Sequence, residues 1–337
     1  MKPGFLLTLT FSAALATPVF AADANYKVTD KFAMPNGGWD YATSDAAKGL
    51  IYWVRSDHTD VIDTKTQKLS SLKSTGDGHM AVVVAGTTLI VVPLRNPVKT
   101  SRIVDTATDS VVADLPSGDG PDGAAYDPFS KHVFVVNHAG SDVTEIDPIA
   151  KKVVATIPVG GSKLEFPASD GLGHMFVNVQ QKGEIAVIDV KTSKVTATYK
   201  MAGCDDNSGL AYAAKSKVLI SSCGNGTARV LMADAGKEVA SIPIGEGPDA
   251  VIYDPLHEVV FIPCGESGKL EILSVADPAH ITKLQELDTP PMARTGAIDP
   301  QGRLYMMAAE PDTTKPRGGG NRLPPKDGTF QMVVISQ

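Results

Sequence analysis

Seven positions in this 337-residue chain carry side chains that could do chemistry, spaced roughly forty residues apart. They are Trp39-Asp40, His79, Asp122, Glu165, Asp205 (within Cys204-Asp205-Asp206), Asp249 and Arg294. One imidazole with several carboxylates is a donor set for a divalent cation such as Ca²⁺, Mn²⁺ or Zn²⁺. His79 with Asp122, Glu165 and Asp249 is therefore the candidate metal set. A metal with an open position there could polarise a lactone or ester carbonyl. Without a metal, His79 could act as a general base while Arg294 holds a carboxylate bidentately, or the two could simply orient a bound anion. Trp39 could stack against a ligand ring. No Gly-x-Ser-x-Gly, His-Glu-x-x-His, Cys-x-x-Cys, Walker or haem-attachment pattern occurs. Any reaction would have to be assembled from separate segments, and the catalytic residues stay unassigned.

The elements that must bring these groups together are repeats. Asp63, Asp105, Asp147 and Asp189 are each 42 residues apart, and GDGPDGAAYDP at 118–128 recurs as GEGPDAVIYDP at 245–255. Periods near 40 to 45 residues, made of short alternating strands and turn residues, are the signature of propeller blades. Seven outer-strand segments can be read: 26–34, 68–74, 111–117, 153–159, 195–201, 238–244 and 283–289. The chain closes on FQMVVIS (330–336), a third strand lacking a fourth. The first segment should complete that last blade, because an open ring would leave long unpaired strand edges. The expected fold is all-β, a single seven-bladed β-propeller over 22–337. Two sandwich domains would suit the length but not a repeat that crosses the midpoint.

Up-and-down connectivity then sorts the loops. The hairpin turns, built on Asp-Pro and Asp/Thr chemistry such as YDPFSKH and DTKTQK, fall on one face. The starts of the innermost strands, and hence all seven candidate positions, converge on the other. The second-to-third strand loops add Asn137, His138, Asn178 and Asn225 there. So does an insertion in the last blade, 311–329, rich in Pro, Gly and basic residues and long enough to be a flap over the mouth. His58, His132, His174, His257 and His280 are expected at surfaces or blade edges. Of three cysteines, Cys204 opens a strand and Cys223 ends its antiparallel return, so these two should pair and leave Cys264 free and buried.

Residues 5–20 are apolar, follow Lys2 and end near Ala21 in the pattern of a cleaved signal peptide, 1–21. The mature chain should be exported, to a periplasm or the outside of a cell, where a disulfide persists. The formal charge of −7 becomes −8 without Lys2, and no Lys/Arg run is present. The sequence therefore shows no footprint for nucleic acid or an anionic membrane, and no later stretch is long enough to span one. A small-molecule ligand or an exported protein is the expected partner, and a monomer the expected state.

The strand segments VFVVN (133–137) and MFVNV, with VTEID and IAVID, resemble the YVTN-type repeats of exported seven-bladed propellers of the YncE-like family. The resemblance extends through WDY (39–41), GDGH (76–79), GPD (120–122), LEFPASDGLGHMFVN (164–178), GEGPDA (245–250), ARTGAIDP (293–300) and TFQMVV (329–334). It implies the fold and a periplasmic location, without a settled common activity. VLISSC and VVFIPC depart from it where an Asn-containing strand end is expected. The reading that emerges is a binding or interaction module with its site at the central mouth. It requires no cofactor, although a divalent metal is possible. The alternative is a metal-assisted lactonase or esterase-like hydrolase at the same place.

Overall fold

A computed structural model describes residues 25–96, 98–318 and 322–337; the segment 1–21, expected to be a signal peptide, lies outside them. The strands form seven small antiparallel sheets, the blades of a seven-bladed β-propeller. Blade 1 spans 39–72, and the following blades span 77–116, 121–158, 164–200, 207–243 and 252–288. The seventh contains Gly296–Ile298, Leu304–Ala308 and Gln331–Ser336, and its outermost strand is Lys27–Ala33 from the other end of the chain. Lys27 pairs with Ser336 and Ala33 with Gln331, so the ring closes as the repeat predicts.

Position within a blade explains strand composition. Outermost strands alternate between exposed and half-buried residues, as in Lys194–Lys200. Second strands such as Val218–Cys223 and Val259–Cys264 are buried along their whole length, because a neighbouring blade covers each face. Every junction between blades has its own apolar cluster. Val218, Ile220 and Val230 of blade 5 meet Val260 and Ile262 of blade 6. At the closing junction, Ile51, Trp53 and Ile62 meet Tyr305, Met307 and Met332.

The recurring aspartates end the third strand of successive blades, where each side chain organises a hairpin. Asp63 Oδ1 accepts the N–H groups of Lys65 and Thr66, Asp147 Oδ1 those of Ile149 and Ala150, and Asp189 Oδ1 that of Thr192. This is Asx-turn chemistry. It assigns the most regular signal in the sequence to architecture.

Two further features hold the ring. Cys204 and Cys223 form a disulfide across the start of blade 5, and Cys264 is free and buried. Burial pushes the Cys264 thiol up to about 12, so it is inert as a nucleophile at neutral pH. Arg55, 2 % exposed, donates to the carbonyls of Pro35, Gly37 and Gly38, which form the link from the closing strand into blade 1. Its charge is met by Asp60 at 2.6 Å. His58, expected at a blade edge, is drawn against the same carboxylate at 3.0 Å and is largely covered.

Replacing Arg55 with Ala strands the buried Asp60 and three carbonyls, and should cost about 3–5 kcal/mol in urea unfolding. Replacing Cys204 and Cys223 together with Ala should cost about 3 kcal/mol, from the loop entropy of a 19-residue separation. Equal denaturation midpoints for the parent and either variant would remove that feature from the list of supports.

Candidate functional site

The side chains at the mouth are aimed by a backbone device that repeats from blade to blade. Where the innermost strand pairs with the second, the register slips by one extra residue. Asp40 and Tyr41 lie between the Trp39–Arg55 and Ala42–Trp53 pairs, opposite a single residue. The same slip brackets Asp122 and Gly123, Glu165 and Phe166, and Ser208 and Gly209. In blade 6 it occurs between Pro248 and Ile252. A β-bulge re-aims a side chain and bends the strand. Here its first residue is Asp40, Asp122, Glu165, Ser208 or Asp249, and all five line one cavity. The following residue packs sideways: a Cβ on Gly209 would come within 2.6 Å of the backbone of Ala250 and Val251, so only Gly fits.

The cavity, of about 870 Å³, also receives Tyr41, His79, Lys163, Asp206, Asn225, Glu246, Glu266, Arg294 and Arg322. Its central charges fall into three ion-paired groups. His79 Nδ1 lies 2.9 Å from Asp40 Oδ2 and 3.3 Å from Asp122 Oδ1. Arg95 donates to Asp40, Asp77 and the Gly78 carbonyl. His138 Nδ1 is 3.1 Å from Glu165, and Arg294 Nε donates to Asp249 at 2.8 Å. Arg322, from the insertion in blade 7, stands 3.7 Å from Asp249 and 3.8 Å from Glu266. The side chains of Asp40, His79, Asp122, Glu165, Asp249 and Arg294 are only 13–21 % exposed.

Acids dominate this half-enclosed space, and their proton affinities reflect it. Asp122 is pushed up to about 7, first by burial and then by the negative charges of Asp40 and Glu165, against the pull of His79. Burial also raises Glu165, opposed by its bond to His138. The imidazole of His138 is raised in turn by that bond. Tyr41, buried among Asp249, Glu165, Asp122 and Asp40, is driven well above the ordinary phenol range and stays neutral. Burial disfavours the Arg294 cation, but Asp249 and Asp40 more than compensate.

Six of the eight positions read from the sequence thus meet around one cavity. Two do not. Trp39 is buried, edge-on to Phe330 with ring centroids 5.5 Å apart, and the Arg294 guanidinium lies 5.6 Å above it. It supports the cavity wall and offers no ring face to a ligand. Asp205 is exposed outside the cavity and Asp206 lines it instead, because the chain turns through positive φ (49°) at Asp206 before blade 5 begins.

Asn137 and Asn178, expected to face the mouth, are fully buried. Asn137 bonds Asp142 and Thr144 within its own blade, while Asn178 donates to the carbonyls of Ser208 and Gly209 and so fastens the bulge of the next blade. Asn225 does line the cavity. Of the four residues of the candidate metal set, His79 and Asp122 lie together, while Glu165 pairs with His138 and Asp249 with Arg294. Among the described residues, no group of three or more His, Cys, Asp or Glu is arranged to hold a metal ion.

Asp206, in the Cys204-Asp205-Asp206 segment, and Arg322, in the basic insertion, belong to segments expected at the mouth; the residues not singled out there are Arg95, Tyr41, Lys163, Glu246 and Glu266. Only Arg95 had a signal: LIVVPLRNP breaks the pattern of its neighbours by ending the second strand on a cation.

No family model matches this chain, and no curated protein matches it. Among solved structures, a chain of the hydrazine synthase of Kuenenia stuttgartiensis aligns with a TM-score of 0.72 at 14 % identity, covering 82 % of this chain and 94 % of that one. A chain of the mitotic checkpoint complex aligns with a TM-score of 0.72 at 13 % identity, covering 90 % and 96 %. At such identities the likeness is one of fold, and the fold shared is the seven-bladed β-propeller.

Proposed function

We propose that this chain is an exported binding propeller of the YncE-like kind whose mouth takes a small ligand through a cationic group, such as an organic amine. One observation carries the reading. The cavity walls present seven carboxylates, those of Asp40, Asp122, Glu165, Asp206, Glu246, Asp249 and Glu266, against the fixed cations of Lys163, Arg294 and Arg322 and the imidazole of His79. A concave site of several hundred Å³ with convergent polar groups suits a small molecule better than a protein surface. Export rests on the apolar leader in the sequence and on the Cys204–Cys223 disulfide, a bond that persists in oxidising compartments.

Proton linkage follows from Asp122. Its folded value near 7 lies above the ordinary carboxylate value near 4, so the folded chain holds this proton more tightly than the unfolded chain. The stability it contributes is complete below about pH 4 and is lost as the pH rises towards 7. A bound cation works in the opposite sense, because it is attracted only to the ionised carboxylate. The upward shifts of Glu165 and His138 act in the same direction: on acidification both groups gain protons and the cavity becomes less negative.

Calorimetric titration with spermidine at low salt should show binding about tenfold tighter at pH 8 than at pH 6. Asp122→Asn should weaken the binding at pH 8 and flatten its pH dependence. No binding at pH 8, or tighter binding on acidification, would refute the cationic ligand. The same titration with Ca²⁺ and Zn²⁺ decides the metal. A stoichiometric metal site in protein that ignores spermidine would put an inorganic cation in the amine's place. Independently of any ligand, Asp122→Asn should raise the melting temperature by about a few degrees at pH 8 and by much less at pH 5. A gain at pH 5 equal to that at pH 8 would show that Asp122 is not ionised at a cost in the folded chain.

A further inference from the structure

The face opposite the mouth carries large apolar residues at the tips of its hairpins. Phe129 and Leu172 sit in the turns between first and second strands of blades 3 and 4, and Ile149 in the outer turn of blade 3; they are 44 %, 70 % and 60 % exposed. Lys131, Lys151 and Lys191 occupy the same turns or the turn beside them, and all three are exposed. Lys191 reaches across from blade 4 to place its ammonium 5.2 Å from the Phe129 ring, which joins the two blades into one patch. The three lysine side chains enter no ion pair among the described residues. Lys215 and Lys217, in the first turn of blade 5, extend the arc and are also exposed.

The acids of this region are recessed. Asp127 is fully buried and holds Ser130. Glu145 is 2 % exposed and held between His132 and Ser193. Asp170 is covered by His174 at 2.7 Å, while Asp147 and Asp189 are engaged by the backbone of their turns. On the turns of blades 3 and 4 the lysines therefore project while the carboxylates are covered or held by their turns, although blade 5 exposes Asp234 beside the arc and the chain as a whole is at −7. Lys131, Lys151 and Lys191 are twenty and forty residues apart, so the sequence shows no basic run there.

We infer that blades 3 and 4 dock turn-first onto an anionic lipid surface, with Phe129, Ile149 and Leu172 entering the headgroup layer and the lysines meeting its charge. Isolated apolar tips among cations are suited to a fluid surface, which adapts to each tip, whereas a folded protein partner would need a shape to match. The acidic mouth, on the opposite face, points away from the lipid and stays open to its ligand. The docking does not depend on what the mouth binds.

The test is co-sedimentation of the purified protein with vesicles of phosphatidylcholine alone or with 30 % phosphatidylglycerol, at low and high salt. Binding is expected only to the anionic vesicles, and high salt should abolish it. Reversing Lys131, Lys151 and Lys191 to Glu should lower it by about a hundredfold or more, and Phe129→Ser with Leu172→Ser by about tenfold. All five positions are exposed, and unchanged melting should confirm that the variants fold. No binding to anionic vesicles at low salt, or equal binding by parent and triple variant, would overturn the inference. So would binding of soluble poly-glutamate without binding of vesicles, which would make the partner an acidic polypeptide.

Discussion

A four-stranded blade has two apolar faces and cannot cover either by itself. Each sheet must lie between two others, and the arrangement ends only when the last blade meets the first. Everything else depends on that closure. The cluster joining Ile51 and Trp53 to Tyr305 and Met332 is the same kind of contact as that between blades 5 and 6, but its partners come from opposite ends of the chain. The strand Lys27–Ala33 and the Arg55 clamp on Pro35, Gly37 and Gly38 hold it in register. Without them the innermost strands would have no common axis to face.

Closure also gives the mouth its electrostatics. Bulges at equivalent places on several blades turn one side chain each towards the axis, and each blade contributes its own charge. The strands behind them are apolar, so few counter-charges can be supplied from within the ring. Compensation comes from the rim instead: Arg95 from blade 2, His138 from blade 3 and Arg322 from the insertion. The result is a set of half-enclosed carboxylates, incompletely neutralised; burial first, and the charges of Asp40 and Glu165 after it, account for the retained proton on Asp122 near neutral pH.

The fold was legible because propeller signals are local and repeated. An aspartate that must accept the N–H groups of its own turn recurs whenever the turn recurs, and 42-residue spacing follows without reference to the rest of the molecule. The site was legible at Asp40, Asp122, Glu165 and Asp249 for the same reason, since each occupies a fixed place in its repeat. What remained hidden depends on contacts between blades. Asn137 and Asn178 look like rim residues in a linear reading, yet the pleat turns them inward to brace backbone. Trp39 adjoins the site in sequence but is taken up by Phe330, nearly three hundred residues away. The basic arc escaped notice because its lysines come from different turns of three repeats and meet only on one face.

The pairing of Lys27 with Ser336 sets an order of events. A ribosome makes the strand Lys27–Ala33 first among the strands described here and its partner Gln331–Ser336 last, so the closing sheet cannot form until nearly the whole chain exists. The seventh blade alone draws its strands from both ends of the chain. A product truncated before residue 331 keeps the unpaired edge of Lys27–Ala33 on one side of the gap and that of Leu304–Ala308 on the other. Incomplete chains are thereby marked by their own open strands, and the finished ring is the only form of the chain in which both edges disappear.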